Sequence, residues 1–188
     1  VDRRQRQMCI RDRAKLLDEQ DQECTRPGEV GELVYRGPNV FAGYYRRPDL
    51  AQNSFTADGF FRTGDFFIVR DERHIGFFDR KKDIIIRGGF NISAAEVENL
   101  VLTHPGVQEV AAVAVPDEIM GEKTCIYVVP KDKARLPTLE DIVDHLKQIG
   151  VAVYKLPEHI EYLDIIPRNP VGKILKAQLR QRVHASGA

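Results

Sequence analysis

The sequence predicts an α+β fold in two parts of different texture. Residues 27–78 combine apolar and aromatic segments with frequent turns, which is typical of short strands. Residues 79–188 alternate strand patterns with helical ones, over a length sufficient for a separate hydrophobic core. The fold class follows from this change of texture, from the turn signals of the first part and from the helical periodicity of the second.

The first part is expected to hold strands and one short helix. Pro27-Gly28 opens a turn before a strand in GELVYRG, and RRPDLAQNSF is long enough only for a short helix. Asp58-Gly59 predicts a hairpin turn, after which DFFIV and HIGFF have strand composition around the polar turn RDER. No helical pattern covers the apolar positions of these strands, so residues 14–79 are expected to be the end of a larger domain.

Capped helices and apolar strands alternate in the second part. Ser93 and Glu96 predict a capping box at the start of a helix that ends at the sequence HPG. The segments VQEVAAVAV, TCIYVVP and HIEYLDII are strand candidates, and TLEDIVDHLKQIG is a helix capped by Thr138. A terminal helix is predicted over residues 174–183 by three apolar residues spaced by four: Leu175, Leu179 and Val183.

Composition argues against several classes of function. Lys+Arg and Asp+Glu balance at 28 each, so no global field attracts nucleic acid or an anionic membrane. No apolar run approaches the roughly 20 residues of a membrane span. Three cysteines without metal-ligand spacing are expected as free thiols in a reducing cytoplasm, and no metal site is predicted. Residues 1–13, with five arginines, are expected to be a disordered or artefactual tail.

Asp65 and Arg80 have the chemistry of a nucleotide site. Asp65 follows a glycine turn at a strand end in FFRTGD, where a carboxylate can accept hydrogen bonds from both hydroxyls of a ribose. Arg80 lies near the same sheet end and can bind the same diol or a phosphate. A turn-stabilising aspartate and an ordinary surface ion pair are the simpler explanations when each residue is taken alone.

Four further residues have both a functional and a structural explanation. Lys82 belongs to the polar run RKKD between the two parts, where domains can pivot, although such runs are usually solvated surface. Gly88 and Gly89 follow the strand IIIR, and they either let a ligand approach the backbone or form a plain tight turn. Lys173 lies in a Pro-Gly turn at the start of the terminal helix and, by itself, is typical of a surface lysine.

Four stretches in this order resemble the later core motifs of the adenylate-forming superfamily of acyl- and aryl-CoA synthetases, peptide-synthetase adenylation domains and luciferases. They are GELVYRGPNVFAGYY, GFFRTGD, DRKKDIIIRGGFNISAAEVEN and PRNPVGKILKAQLR, which are distributed across the span of residues 27–180. The resemblance implies that residues 14–79 end the N-terminal AMP-binding domain and that residues 80–188 form the mobile C-terminal lid. The family's phosphate loop, Mg²⁺-binding glutamate and acid pocket are not in this sequence.

The resemblance also implies a role for each candidate residue. Asp65 and Arg80 match the residues that contact the ribose of ATP and AMP. Lys82 matches the hinge residue about which the lid rotates between half-reactions. The loop that contains Gly88–Gly89 matches the one that lines the CoA tunnel, and Lys173 matches the catalytic lysine of adenylation.

The whole protein is therefore expected to be an ATP-dependent carboxylic acid–CoA ligase that uses ATP/AMP, CoA and Mg²⁺. Its partners would be a small carboxylic acid, ATP and CoA, without nucleic acid, and the 188-residue chain alone is expected to be inactive. The segments RKKDIIIRGGFNIS and YKLPEHIEYLDIIPRNPVGKILKAQLR are most similar to acyl-CoA synthetases for medium-chain or cyclic acids. An aryl-acid AMP ligase that serves a carrier protein and a non-catalytic accessory module are the alternatives.

Overall fold

A computed structural model describes residues 14–186, which divide into two units between Lys82 and Asp83. Within residues 14–82, the first unit comprises β1 Ala14–Leu17, β2 Val30–Tyr35, α1 Pro48–Ser54, β3 Phe61–Val69 and β4 Ile75–Arg80. Within residues 83–186, the second unit comprises β5 Ile84–Arg87, β6 Phe90–Ser93, α2 Ala94–Val101, β7 Val107–Asp117, β8 Gly121–Pro130, α3 Leu139–Gln148, β9 His159–Tyr162 and α4 Lys176–Ser186. The predicted α+β class is confirmed, while the predicted tail over residues 1–13 lies outside the described residues.

The first unit is an antiparallel sheet in the order β1-β2-β3-β4. The turn predicted at Asp58-Gly59 is present: Thr56 N donates to Phe60 O over 2.8 Å, and Gly59 has a φ of +82°. Strand β1 was not predicted, because four residues (AKLL) are too few to show an alternating pattern. Its pairing with β2 is a tertiary contact that local sequence does not encode.

A small hydrophobic cluster stabilises the first unit. Leu17, Val34 and Phe60 bury nearly all of their side chains against one another. Burial of one such side chain contributes about 1.5–3 kcal/mol to folding. The same unit leaves several large aromatic and aliphatic side chains exposed: Phe41, Tyr44, Tyr45, Ile75 and Phe77.

The second unit has a five-stranded sheet in which β7 and β8 are buried on both faces. The order is β6-β5-β8-β7, and β9 pairs parallel to β8. Alternate residues of a strand point to opposite faces, so Ala112 and Ala111 belong to different hydrophobic clusters. The cluster around Ala112 includes residues of α2 and α3, whereas the cluster around Ala111 includes Leu179 of α4.

Side-chain caps define the starts of α2 and α3. Thr138 and Asp141 form a reciprocal capping box at α3. At α2, Ser93 Oγ accepts a hydrogen bond from Glu96 N over 3.1 Å, as predicted for a cap. The Glu96 carboxylate accepts a hydrogen bond from Lys155 Nζ over 2.6 Å, so this glutamate also joins α2 to the segment after α3.

The terminal helix begins later than predicted. It starts at Lys176, whereas Ile174 forms an isolated β-bridge with Arg168. The backbone of residues 168–174 is therefore a closed turn, and the prediction that Lys173 stands at a helix start is wrong. Periodicity located the buried Leu179 but could not detect the bridge, which depends on Arg168. Across the described part of the chain, no helix is long and apolar enough to cross a membrane.

Candidate functional site

Asp65 lies on a bulge of strand β3. Glu32 of β2 pairs with Phe66 of β3, and Val34 of β2 pairs with Arg62 of β3. The three residues of β3 between these pairs, 63–65, therefore lie opposite a single residue of β2, Leu33. The middle residue of the three, Gly64, has a φ of +72°, a left-handed conformation that glycine adopts without strain. Bulges are enriched beside functional sites because they redirect side chains, and this one sets the position of Asp65.

Arg80 lies directly opposite Asp65 on the neighbouring strand. The two residues are register partners between β3 and β4, and Arg80 Nε is 3.5 Å from Asp65 Oδ1. Their side chains are 46% and 40% exposed, so both groups can contact a ligand. An acceptor of two hydrogen bonds beside a planar cation is suited to a ribose diol with a nearby phosphate.

A buried carboxylate supports the same bulge. Glu32 Oε1 accepts a hydrogen bond from Gly64 N over 3.0 Å, and Oε2 contacts Arg62 Nη1 at 3.1 Å and Lys81 Nζ at 3.2 Å. Glu32 is only 3% exposed. Sequence reasoning did not single out Glu32, although a glutamate within the otherwise apolar strand ELVY was a signal that could have found it.

Lys82 lies in a single 3-10 turn, Lys81–Asp83, which contains the boundary between the two units. Its two neighbours are tied to opposite sides of that boundary. Lys81 binds Glu32 in the first unit, and Asp83 binds Arg180 of α4 in the second unit with an N–O distance of 2.8 Å.

The Gly88-Gly89 pair forms the two-residue loop of a hairpin. Arg87 pairs with Phe90, and the intervening glycines have φ angles of +54° and +83°, the signs of a type I′ turn. A Cβ on Gly88 would lie 2.6 Å from Met120 Cε, whereas a Cβ on Gly89 would have no heavy atom within 4 Å. Turn geometry alone therefore accounts for both glycines, and Gly89 has open space beside it.

Lys173 is exposed on a turn that other side chains hold in place. Asn169 Oδ1 accepts hydrogen bonds from Val171 N over 3.2 Å and Lys173 N over 2.8 Å. Arg168 Nη1 donates to Gly172 O over 2.9 Å. The turn thus presents a flexible lysine side chain on a fixed backbone.

Helix α4, which follows this turn, is anchored to the second unit along one face. Lys176 Nζ binds Glu98 of α2 at 2.8 Å, and Tyr127 Oη donates to Leu179 O over 2.8 Å. Leu179 itself is fully buried. Because these anchors lie close behind the turn, they limit how far the backbone of Lys173 can move.

Cys125 offers no alternative reactive centre. Burial raises the pKa of the Cys125 thiol to about 12, so this thiol stays protonated and non-nucleophilic at neutral pH. Within residues 14–186, no group of three or more His, Cys, Asp or Glu side chains is arranged to hold a metal ion.

Comparison with known proteins gives one family match, over residues 96–173, to the AMP-binding enzyme C-terminal domain. The chain is 38% identical to a 2,3-dihydroxybenzoate-AMP ligase from Bacillus subtilis, over 92% of the chain and 31% of that protein. It is 44% identical to a long-chain-fatty-acid–CoA ligase from Escherichia coli, over 89% of the chain and 29% of that protein. The chain therefore spans about a third of the length of these relatives.

Solved structures agree with these sequence matches. ATP-bound MatB from Rhodopseudomonas palustris superposes with a TM-score of 0.76 and 34% identity, over 90% of this chain and 33% of that one. The o-succinylbenzoate CoA synthetase of Bacillus subtilis, in complex with an acyl-adenylate intermediate, gives a TM-score of 0.74 and 34% identity, over 89% and 33%. Both comparisons extend across nearly the whole chain.

Proposed function

Because this chain belongs to the adenylate-forming superfamily, we propose that it is the C-terminal part of an ATP-dependent carboxylic acid–CoA ligase. In the first half-reaction, a carboxylate oxygen of the acid attacks the α-phosphorus of ATP and pyrophosphate leaves. In the second, the sulfur of CoA attacks the acyl carbon, its proton is lost to solvent and AMP leaves. Mg²⁺ and the ATP phosphates are proposed to be bound mainly by other parts of the ligase.

The observation that carries this proposal is the opposition of Asp65 and Arg80. The two residues face each other across the consecutive strands β3 and β4, both partly exposed, with 3.5 Å between the guanidinium and the carboxylate. Asp65 is proposed to accept hydrogen bonds from the ribose hydroxyls, and Arg80 to contact the same ribose. A turn-stabilising role of Asp65 does not account for a bulge that sets an exposed carboxylate beside a cation.

Lys173 is proposed to be the catalytic lysine of adenylation. Attack of a carboxylate on a phosphate brings two anions together, and a cation near the phosphorus stabilises the transition state more than the ground state. The exposed ammonium on a fixed turn is suited to that role. The dipole of α4 contributes little, because the helix begins three residues after Lys173 and the dipole's effect decays within one turn.

The hinge and the CoA loop complete the proposal. Lys82 is proposed as the pivot of a lid that exchanges Lys173 for the loop around Gly88–Gly89 between the two half-reactions. The position of Lys82 in a short 3-10 turn at the unit boundary supports this role, since a few residues at an element's end can absorb a domain rotation. The open space beside Gly89 supports the close approach of a thiol chain.

The acid and the thiol acceptor are finer parts of the proposal. We favour a medium-chain or cyclic acid and free CoA, which would place the enzyme in fatty-acid metabolism in the cytoplasm. An aryl-acid AMP ligase that serves a carrier protein is the second candidate, since the relatives include a 2,3-dihydroxybenzoate-AMP ligase. An assay with free CoA and with a carrier protein as acceptors, using the whole ligase, distinguishes the two candidates.

Lys173→Ala tests the central role in the whole ligase that contains this sequence. The rate of adenylate formation, measured by ATP–pyrophosphate exchange, should fall by about 100-fold to 1000-fold, because the variant lacks the cation beside the negative charge that develops at the phosphate. Thioester formation from supplied acyl-adenylate should stay near the unsubstituted rate. Lys131→Ala removes another exposed lysine and serves as the control. Equal losses in both half-reactions would overturn the assignment of Lys173.

A further inference from the structure

We propose that Glu32 is a positioning residue of the nucleotide site, a role that rests on the proposed function. Glu32 does not reach the ligand-facing surface, because it is 3% exposed. It acts through the backbone and side chains that carry Asp65 and Arg80. The ligand class is therefore the nucleoside mono- or triphosphate already assigned to those two residues.

The first step is the contact of Glu32 with the bulge. Its Oε1 accepts a hydrogen bond from Gly64 N over 3.0 Å, and Gly64 directly precedes Asp65. A backbone N–H on a bulge has lost its regular strand partner, so a buried carboxylate that accepts from it fixes the local path of the chain. The Asp65 carboxylate is consequently held at one position relative to the sheet.

The second step is the contact with the other strand of the site. Glu32 Oε2 lies 3.2 Å from Lys81 Nζ, and Lys81 directly follows Arg80. The two oxygens of one carboxylate therefore hold the residue before Asp65 and the residue after Arg80. The separation of Asp65 and Arg80, which a ribose diol must match, is fixed at both ends by Glu32.

The third step is the energetic asymmetry of a buried charge. A carboxylate taken out of water is stabilised only by its donors, and Glu32 has Arg62 Nη1, Lys81 Nζ and Gly64 N within 3.2 Å. Glu32→Gln keeps the size of the side chain but removes the charge. The cations Arg62 and Lys81 then lose their shared partner, and Lys81 is free to draw Arg80 away from Asp65.

The kinetic test uses Glu32→Gln in the whole ligase, with Glu72→Gln in the exposed β3–β4 turn as the matched control. The KM for ATP should rise about tenfold or more, since small misplacements of binding groups have effects of this size. The KM of Glu32→Gln for the acid should stay unchanged. The control Glu72→Gln should keep its melting temperature. An unaltered KM for ATP in folded Glu32→Gln overturns the positioning role, because a purely structural residue would lower stability alone.

Two further measurements keep the outcome decisive. If Glu32→Gln does not fold, Lys81→Met is the second variant, because the Lys81 side chain is 59% exposed and its replacement should be tolerated. Lys81→Met should still raise the KM for ATP, and an unchanged KM overturns the inference. Amide hydrogen exchange of Gly64 in Glu32→Ala should accelerate relative to Glu72→Gln, and equal protection also overturns it. If the unsubstituted ligase shows no ATP–pyrophosphate exchange, the proposed function fails. The amide hydrogen exchange of Gly64 still decides the positioning role of Glu32 in that case.

Discussion

Alanine at Gly89 separates the needs of the hairpin turn from those of the thiol substrate. Gly89 has a φ of +83°, and an L-residue in this left-handed region costs roughly 1–2 kcal/mol. Its added Cβ would have no heavy atom within 4 Å, so backbone strain is the whole expected cost. The unit that contains Gly89 is close to 100 residues long, and in a domain of that size a loss of 1 kcal/mol lowers the melting temperature by about 4–8 °C.

Gly88 provides the comparison within the same turn. Its φ of +54° gives a similar strain, but its Cβ would also lie 2.6 Å from Met120 Cε. Met120 Cε, the far end of a flexible side chain, must then move aside, which adds a small cost to the backbone strain. Gly88→Ala is thus expected to lower the free energy of unfolding by more than Gly89→Ala does.

The assay measures the two half-reactions of the whole ligase separately. Gly89→Ala should leave ATP–pyrophosphate exchange within about twofold of the unsubstituted enzyme, because Asp65, Arg80 and Lys173 are untouched. Thioester formation from supplied acyl-adenylate should fall by about 10-fold to 200-fold, the range that one additional methyl group produces in a fitted site.

Gly89→Asn is the control for strain, since asparagine tolerates positive φ better than other L-residues. It should retain more stability than Gly89→Ala while blocking the thiol at least as strongly. Thioester formation at the unsubstituted rate in both variants would refute the CoA-loop role. A larger loss of stability in Gly89→Ala than in Gly88→Ala would refute the structural reasoning.

Two further predictions concern the Lys173 turn and the pH dependence of stability. Asn169→Ala removes the acceptor for Lys173 N and Val171 N, so the rate of adenylation should fall about tenfold with little change in melting temperature. Asn169→Asp keeps an acceptor and should restore the rate of adenylation. Burial lowers the pKa of His104, whose Nδ1 accepts from Gly106 N. As the pH falls, His104 is therefore protonated in the unfolded chain before it is protonated in the folded one. The free energy of unfolding should consequently decline as the pH falls below about 6.5. The unfolding midpoint of His104→Gln should change less between pH 7.5 and pH 5.5, and an identical decline would contradict the role of His104.

Sequence patterns predicted the elements that depend on local chemistry. The caps at Ser93 and Thr138 and the turn at Asp58-Gly59 involve donors and acceptors within a few residues, so short stretches suffice to identify them. The continuous apolar runs in β7 and β8 likewise reflect burial on both faces of the sheet. The order of the four motifs also indicated the resemblance to the adenylate-forming superfamily, and the family match over residues 96–173 agrees with it.

The start of the terminal helix could not be predicted in the same way. Leu179 is buried, as its spacing suggested, but Ile174 pairs with Arg168 instead of entering the helix. Four-residue spacing is compatible with either conformation at a helix end. The bridge forms because Arg168, bound to Glu109 at 2.9 Å, fixes the chain before the turn.

By itself, the sequence determined the α+β class, most of the strands and helices, and which residues are candidates for chemistry. Only the tertiary structure decided that Asp65 and Arg80 face each other, that Glu32 joins the two ends of their site, and that Gly88-Gly89 is a type I′ turn. The physical reason is the range of the interactions. Caps and periodicity act over a few residues, whereas register, bulges and buried ion pairs join residues from strands that meet only when the sheet has formed.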